Sequence, residues 1–143
     1  MLGVVVEDWV RVNVDRATKL HIQVSGASAV IRDVEGAFMA TTACFLPIVS
    51  LAFQAELLAI KHGVELAQQL SYQKVQVKSD SSQAISIINT CVDRASAMDL
   101  LAGDVLHNAA SFTASKFISI TRNNNGVAHC LANVAVSSGT RLV

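Results

Sequence analysis

The stretch Trp9-Val10-Arg11-Val12-Asn13-Val14-Asp15 places a valine at every second position and then ends on a carboxylate. Period-two alternation with three valines predicts a β-strand with one buried face, from about Val10 to Asp15. Such a strand needs a sheet around it, and open α/β sheets place ligands at the carboxyl ends of their strands. Asp15 therefore stands where a site belongs.

Lys74-Val75-Gln76-Val77-Lys78-Ser79-Asp80 repeats the pattern and again ends in aspartate. Between the two runs a helix is predicted over Leu51 to Leu70, with Ser50 as N-cap after the single proline, Pro47. A strand, a helix and a strand in succession imply parallel pairing of the two alternating runs. Arg16 to Leu20 reads as a polar turn. It leads to strands between His21 and Ile31 and from Ala37 to Cys44, joined by a turn at Arg32 to Gly36. Downstream, Ala84, Ile85, Ile87 and Ile88 follow helical spacing, and a second helix is expected near Met98 to Ala110. A strand from Lys116 to Thr121 follows. An asparagine turn with Asn125 as cap then precedes a last helix carrying Val127, Leu131 and Val134. The fold class is α/β: a mixed sheet, made of a three-strand meander and parallel strands, with helices on its faces.

With 143 residues, 52% of them hydrophobic, one domain over 1–143 is expected. Mean hydropathy is high at +0.44. No apolar run approaches the roughly 20 residues of a membrane span, so the excess belongs in the core or on an exposed apolar surface that would join copies of the chain. The first eight residues lack the features of a secretory signal, which points to an intracellular protein. Cys44, Cys91 and Cys130 are odd in number and far apart, so neither a disulfide framework nor a zinc site is expected. His129 and Cys130 are neighbours, and adjacent side chains on a helix diverge, which argues against a catalytic pair.

Eleven bases balance 11 acids, so there is no strongly basic footprint. If Asp15, Glu56 and Asp80 hold cations, eight acids remain against 11 bases. Glu56 falls in the apolar half of the Leu51 to Leu70 helix, where a solvated acid is out of place. Three acids converging from two strand ends and a packed helix are the donor set that Mg²⁺ favours. Two such ions about 3.5–4 Å apart can activate water and stabilise both oxygens of a phosphodiester displacement. Arg16, Lys19, Lys78 and Arg122 are either phosphate contacts or a solvated face. Trp9 and Tyr72 read as packing residues.

The run Val12-Asn13-Val14-Asp15, then Val30-Ile31-Arg32-Asp33-Val34-Glu35-Gly36, Ala55-Glu56-Leu57, Lys78-Ser79-Asp80-Ser81, and finally Arg122, Asn125 and Val127-Ala128-His129-Cys130-Leu131-Ala132 resembles the plant ribonuclease H-like domain, the reverse-transcriptase-associated type. The resemblance covers about residues 9 to 137. It implies a five-stranded ribonuclease H-like sheet and Mg²⁺-dependent (or Mn²⁺-dependent) cleavage of the RNA strand of RNA/DNA hybrids. It also implies Asp15, Glu56 and Asp80 as metal ligands and catalytic residues, with His129 where many members have a further aspartate. Arg16, Ser81 and Asn125 are the candidate substrate contacts. Arg16 and Ser28 stand where the family has glycine. The alternative within the same resemblance is a catalytically weak or inactive domain that binds nucleic acid or protein.

Overall fold

A computed structural model describes residues 6–19, 24–33, 35–46, 52–90 and 97–121. Strands β1 (Val6–Lys19), β2 (Val24–Arg32) and β3 (Phe38–Leu46) pair antiparallel in sequence order. Helix α1 (Ala52–Gln69) then crosses to β4 (Tyr72–Ser79), which pairs parallel with β1. Helices α2 (Ser82–Asn89) and α3 (Ala97–Ala109) lead to β5 (Ala114–Ser119), parallel to β4. The sheet order is β3-β2-β1-β4-β5, the mixed five-stranded architecture expected. The expected last helix, its cap Asn125 and the cap Ser50 lie outside the described residues.

Local chemistry explains the turns. Asp33 accepts hydrogen bonds from the Glu35 and Ala37 amides, both at 2.9 Å, and closes the β2–β3 hairpin. Gly36 there has φ +85, a left-handed conformation that favours glycine. Alanine, leucine, glutamine and glutamate fill α1, and Ser71 at φ 63 ends it in the left-handed manner of a helix C-terminus.

One expectation needs correction. β1 does not stop at Asp15, and Arg16 to Lys19 are strand rather than turn. The reason lies in β2, which pairs with β1 from Arg11↔Arg32 all the way to Lys19↔Val24. The backbone hydrogen bonds of those polar residues are supplied by the hairpin partner, so their polarity does not signal a turn. Parallel pairing with β4, in contrast, ends at Val14↔Ser79. Asp15 is thus the first residue of β1 beyond the parallel ladder.

Val10, Val12 and Val14 of β1, Val75 and Val77 of β4, and Leu57, Ile60 and Val64 of α1 form the core between sheet and helices. Each such side chain contributes about 1.5–3 kcal/mol relative to exposure. The contact is close because Gly63 faces the sheet. A Cβ there would sit 2.7 Å from Val14 Cγ1 and 2.9 Å from Val12 Cγ1. Among the described residues, no helix is long and apolar enough to cross a membrane.

Candidate metal centre

Three elements deliver three acids to one point. Asp15 lies on β1 just past the end of the parallel ladder, Asp80 directly follows β4, and Glu56 comes from the buried first half of α1. Carboxylate oxygens of Asp15, Glu56 and Asp80 all lie within 4.8 Å of one another. Asp15 and Glu56 are each only 1% exposed, whereas Asp80 is half-buried. Two of the acids are thus buried, and the third is the more accessible to solvent.

The register of α1 explains how Glu56 reaches this point. Glu56 and Gly63 are seven residues apart and share a helix face. The missing side chain at Gly63 lets that face descend onto Val12 and Val14, which brings Glu56 level with Asp15. Ser79 then fixes it. Its hydroxyl donates to Glu56 Oε1 at 2.5 Å and accepts from the Ser81 amide at 3.0 Å. Ser79 is fully buried and occupies the position where the run Val75, Val77 would place the next apolar residue.

Sequence reasoning did not single out Ser79 or Gly63. The signal for Ser79 was present, since a polar residue at an inward position of a strand needs a partner. The signal for Gly63 was not, because a glycine in a helix does not announce what it packs against.

Ser81, a candidate substrate contact, is the N-cap of α2, with its Oγ accepting from the Ala84 amide at 3.2 Å. The hydroxyl keeps its proton to donate. Arg16 pairs through its backbone with Ala27 in β2. Ser28 is the register partner of Asp15 and is 1% exposed. His129 and Asn125 lie outside the described residues.

At 4.8 Å, two ionised carboxylates repel by about 3 kcal/mol at an effective dielectric constant of about 20. An all-oxygen donor set under that repulsion suits a small hard divalent cation, which neutralises it and accepts carboxylate ligands readily. The residues present therefore fit a divalent metal.

Comparison with known proteins agrees with this geometry. The family model described as reverse transcriptase-like matches residues 13–135. The chain belongs to that family. No curated protein sequence matches it. Among solved structures, the N-terminal ribonuclease H domain of a Mycobacterium tuberculosis protein superposes with a TM-score of 0.83 at 18% identity, covering 93% of this chain and 96% of the other. Ribonuclease H1 of Halobacterium salinarum gives 0.83 at 18% identity over 91% and 98%. LC11 ribonuclease H1 in complex with an RNA/DNA hybrid gives 0.72 at 16% identity over 90% and 97%. The fold of this reverse transcriptase-like chain is thus the ribonuclease H fold.

Proposed function

We propose that this chain is a divalent-metal-dependent endonuclease that cleaves the RNA strand of RNA/DNA hybrids. The observation that carries the proposal is the convergence of Asp15, Glu56 and Asp80 within 4.8 Å. Family membership and the likeness to ribonuclease H structures, one of them bound to a hybrid, support the choice of substrate.

Asp15, Glu56 and Asp80 would hold Mg²⁺, or Mn²⁺ in its place. Held there, two such ions in this proposal would supply a nucleophile at neutral pH and charge stabilisation for the attacking and leaving oxygens. The protein's own work is positional. Ser79 restrains the Glu56 carboxyl, the N-cap at Ser81 sets the turn that carries Asp80, and burial of Asp15 and Glu56 keeps competing water away. In this proposal Arg16, Ser81 and Asn125 contact the substrate and His129 assists at the fourth position. The plant-type assignment also belongs to the proposal.

A second reading, a weak or inactive domain that binds nucleic acid or protein, is favoured by one residue. His129 replaces a carboxylate with an imidazole, which leaves the site one negative charge poorer toward an oxygen-preferring ion.

Cleavage of a labelled hybrid in Mg²⁺ and in Mn²⁺ decides between them. The native protein should cut, and Asp80→Asn should cut at least about 100-fold more slowly, the upper end of what losing an outer-shell partner of a metal site costs. Chelation should abolish cleavage. A native protein no more active than Asp80→Asn in either metal would leave the binding module as the surviving reading.

A further inference from the structure

Among the described residues five polar or charged ones are buried: Asp15, Ser28, Thr42, Glu56 and Ser79. Two of these are members of the acid cluster and two are serines. Ser79 already has its explanation, because its hydroxyl donates to Glu56 Oε1. Ser28 has none from the site as described so far.

Strand register narrows what the Ser28 hydroxyl can bond. A serine 1% exposed needs an acceptor inside the protein. β2 is paired on both sides, to β1 and to β3, so the backbone groups around Ser28 belong to the two ladders. The same-face positions on its own strand are Gly26 and Val30, and Ala43 stands directly across on β3. None of the three has a polar side-chain atom. Directly across on β1 stands Asp15, also 1% exposed. Opposed residues of an antiparallel pair share a face with Cβ atoms about 4.5–5.5 Å apart, whereas diagonal neighbours are about 7–8 Å apart. The diagonal polar positions are Asn13 and Thr41, and the Thr41 hydroxyl donates to the Ala29 carbonyl at 3.2 Å. Asp15 is therefore the nearest side-chain acceptor. Ser28 and Asp15 each make a hydrogen-bonded or electrostatic contact within the protein, in keeping with this.

We propose that Ser28 is a positioning residue for Asp15, its hydroxyl donating across the β1–β2 pair to one carboxylate oxygen. A carboxylate has about four lone-pair sites, so one bond of this kind leaves the others for a cation. A hydrogen bond to an ionised acceptor is short and strong, and it fixes the direction in which the carboxylate points. Ser79 ties Glu56 of α1 to β4, and Ser28 ties Asp15 of β1 to β2. Each buried acid is thus anchored from a neighbouring element, and the two keep their places against mutual repulsion before a cation arrives. The use of this bond rests on the proposed metal-dependent nuclease, whereas the bond itself stands independently of it.

Two measurements test it. In EDTA, urea unfolding of the native protein, Ser28→Ala, Asp15→Ala and the double variant completes a mutant cycle. Ser28→Ala should lower the urea midpoint in the native background and lower it clearly less once residue 15 is alanine, because the acceptor is then already gone. Calorimetry of Mn²⁺ binding is the second measurement. Ser28→Ala should bind about 10-fold more weakly, and Ser28→Thr, which restores the hydroxyl, should regain most of that loss. Thr42→Val removes a buried hydroxyl beside Ala29 rather than Asp15, and should keep the native affinity. If Ser28→Ala does not fold, Ser28→Cys, a similar shape with a weak donor, serves in both measurements. Equal midpoint losses in the two backgrounds, native Mn²⁺ affinity in folded Ser28→Ala, or an equal loss in Thr42→Val would overturn the proposal. A native protein that neither binds Mn²⁺ nor cleaves hybrid, with the cycle still coupled, would sink the nuclease proposal and keep this one. Cleavage abolished by Asp80→Asn, together with an additive cycle, would do the reverse.

Discussion

The two faces of β1 differ in kind. Toward α1 it presents Val10, Val12 and Val14, all fully buried against a helix that comes close because residue 63 lacks a side chain. Away from α1 it presents Trp9, Arg11 and Asn13, flanked by lysines and an arginine from the neighbouring strands. The first face tolerates no change of volume, and the second is defined by charge. Only at Asp15, where the parallel ladder has ended, do acids from both strands and the helix meet. The difference teaches that the acid cluster depends on core packing for its geometry, even though its members are polar.

That contrast can be broken most forcefully at Gly63. Gly63→Val would drive a branched side chain into Val12 and Val14, already under 3 Å from a bare Cβ. The expected loss is about 3 kcal/mol of unfolding free energy in urea. The same variant should bind Mn²⁺ more weakly, because the helix that carries Glu56 is pushed outward. A stable variant with unchanged metal affinity would show that α1 does not set the depth of Glu56.

Ser79→Ala sharpens the contrast at the point where core and site touch. Removing the hydroxyl leaves Glu56 Oε1 and the Ser81 amide without their shared partner. The expected loss is about 2 kcal/mol, together with a fall in cleavage rate of about 10- to 100-fold. A loss of stability with no change in rate would make Ser79 a packing residue only.

The smallest effect is expected at Tyr72, a buried residue at the start of β4 whose side chain has one polar atom, the hydroxyl. Burial, with the negative charge of Asp33 adding to it, raises the Tyr72 phenol above its ordinary 10.0. A raised pKa means that the folded state holds this proton more tightly. Its contribution to stability is therefore complete below pH 10 and is lost as pH rises through the folded value. Tyr72→Phe should flatten the alkaline limb of a plot of stability against pH by a few tenths of a kcal/mol, and leave the neutral region close to native. An unchanged alkaline limb would show that other groups govern it.

Much of the site was legible in the sequence because alternation reports burial directly. Two alternating runs that end in aspartate located Asp15 and Asp80, and an acid inside an apolar helical stretch located Glu56. The extent of β1 was not legible, since Arg16 to Lys19 are polar and owe their strand conformation to pairing with β2. Nor was the role of Ser81, which reads as a motif residue and serves as a helix cap. Ser79 was quoted within a motif, but its bond to Glu56 spans 23 residues and no local pattern encodes it.

By itself, then, the sequence determined which segments alternate, which helix is buried and which three acids are out of place, because these follow from the local balance of apolar and polar groups. The tertiary structure decided that the parallel ladder stops one residue before Asp15, that Gly63 lets α1 descend, and that Ser28 stands opposite Asp15. Those facts depend on register between strands distant in sequence, and register is fixed by the packing of whole faces rather than by any one stretch of residues.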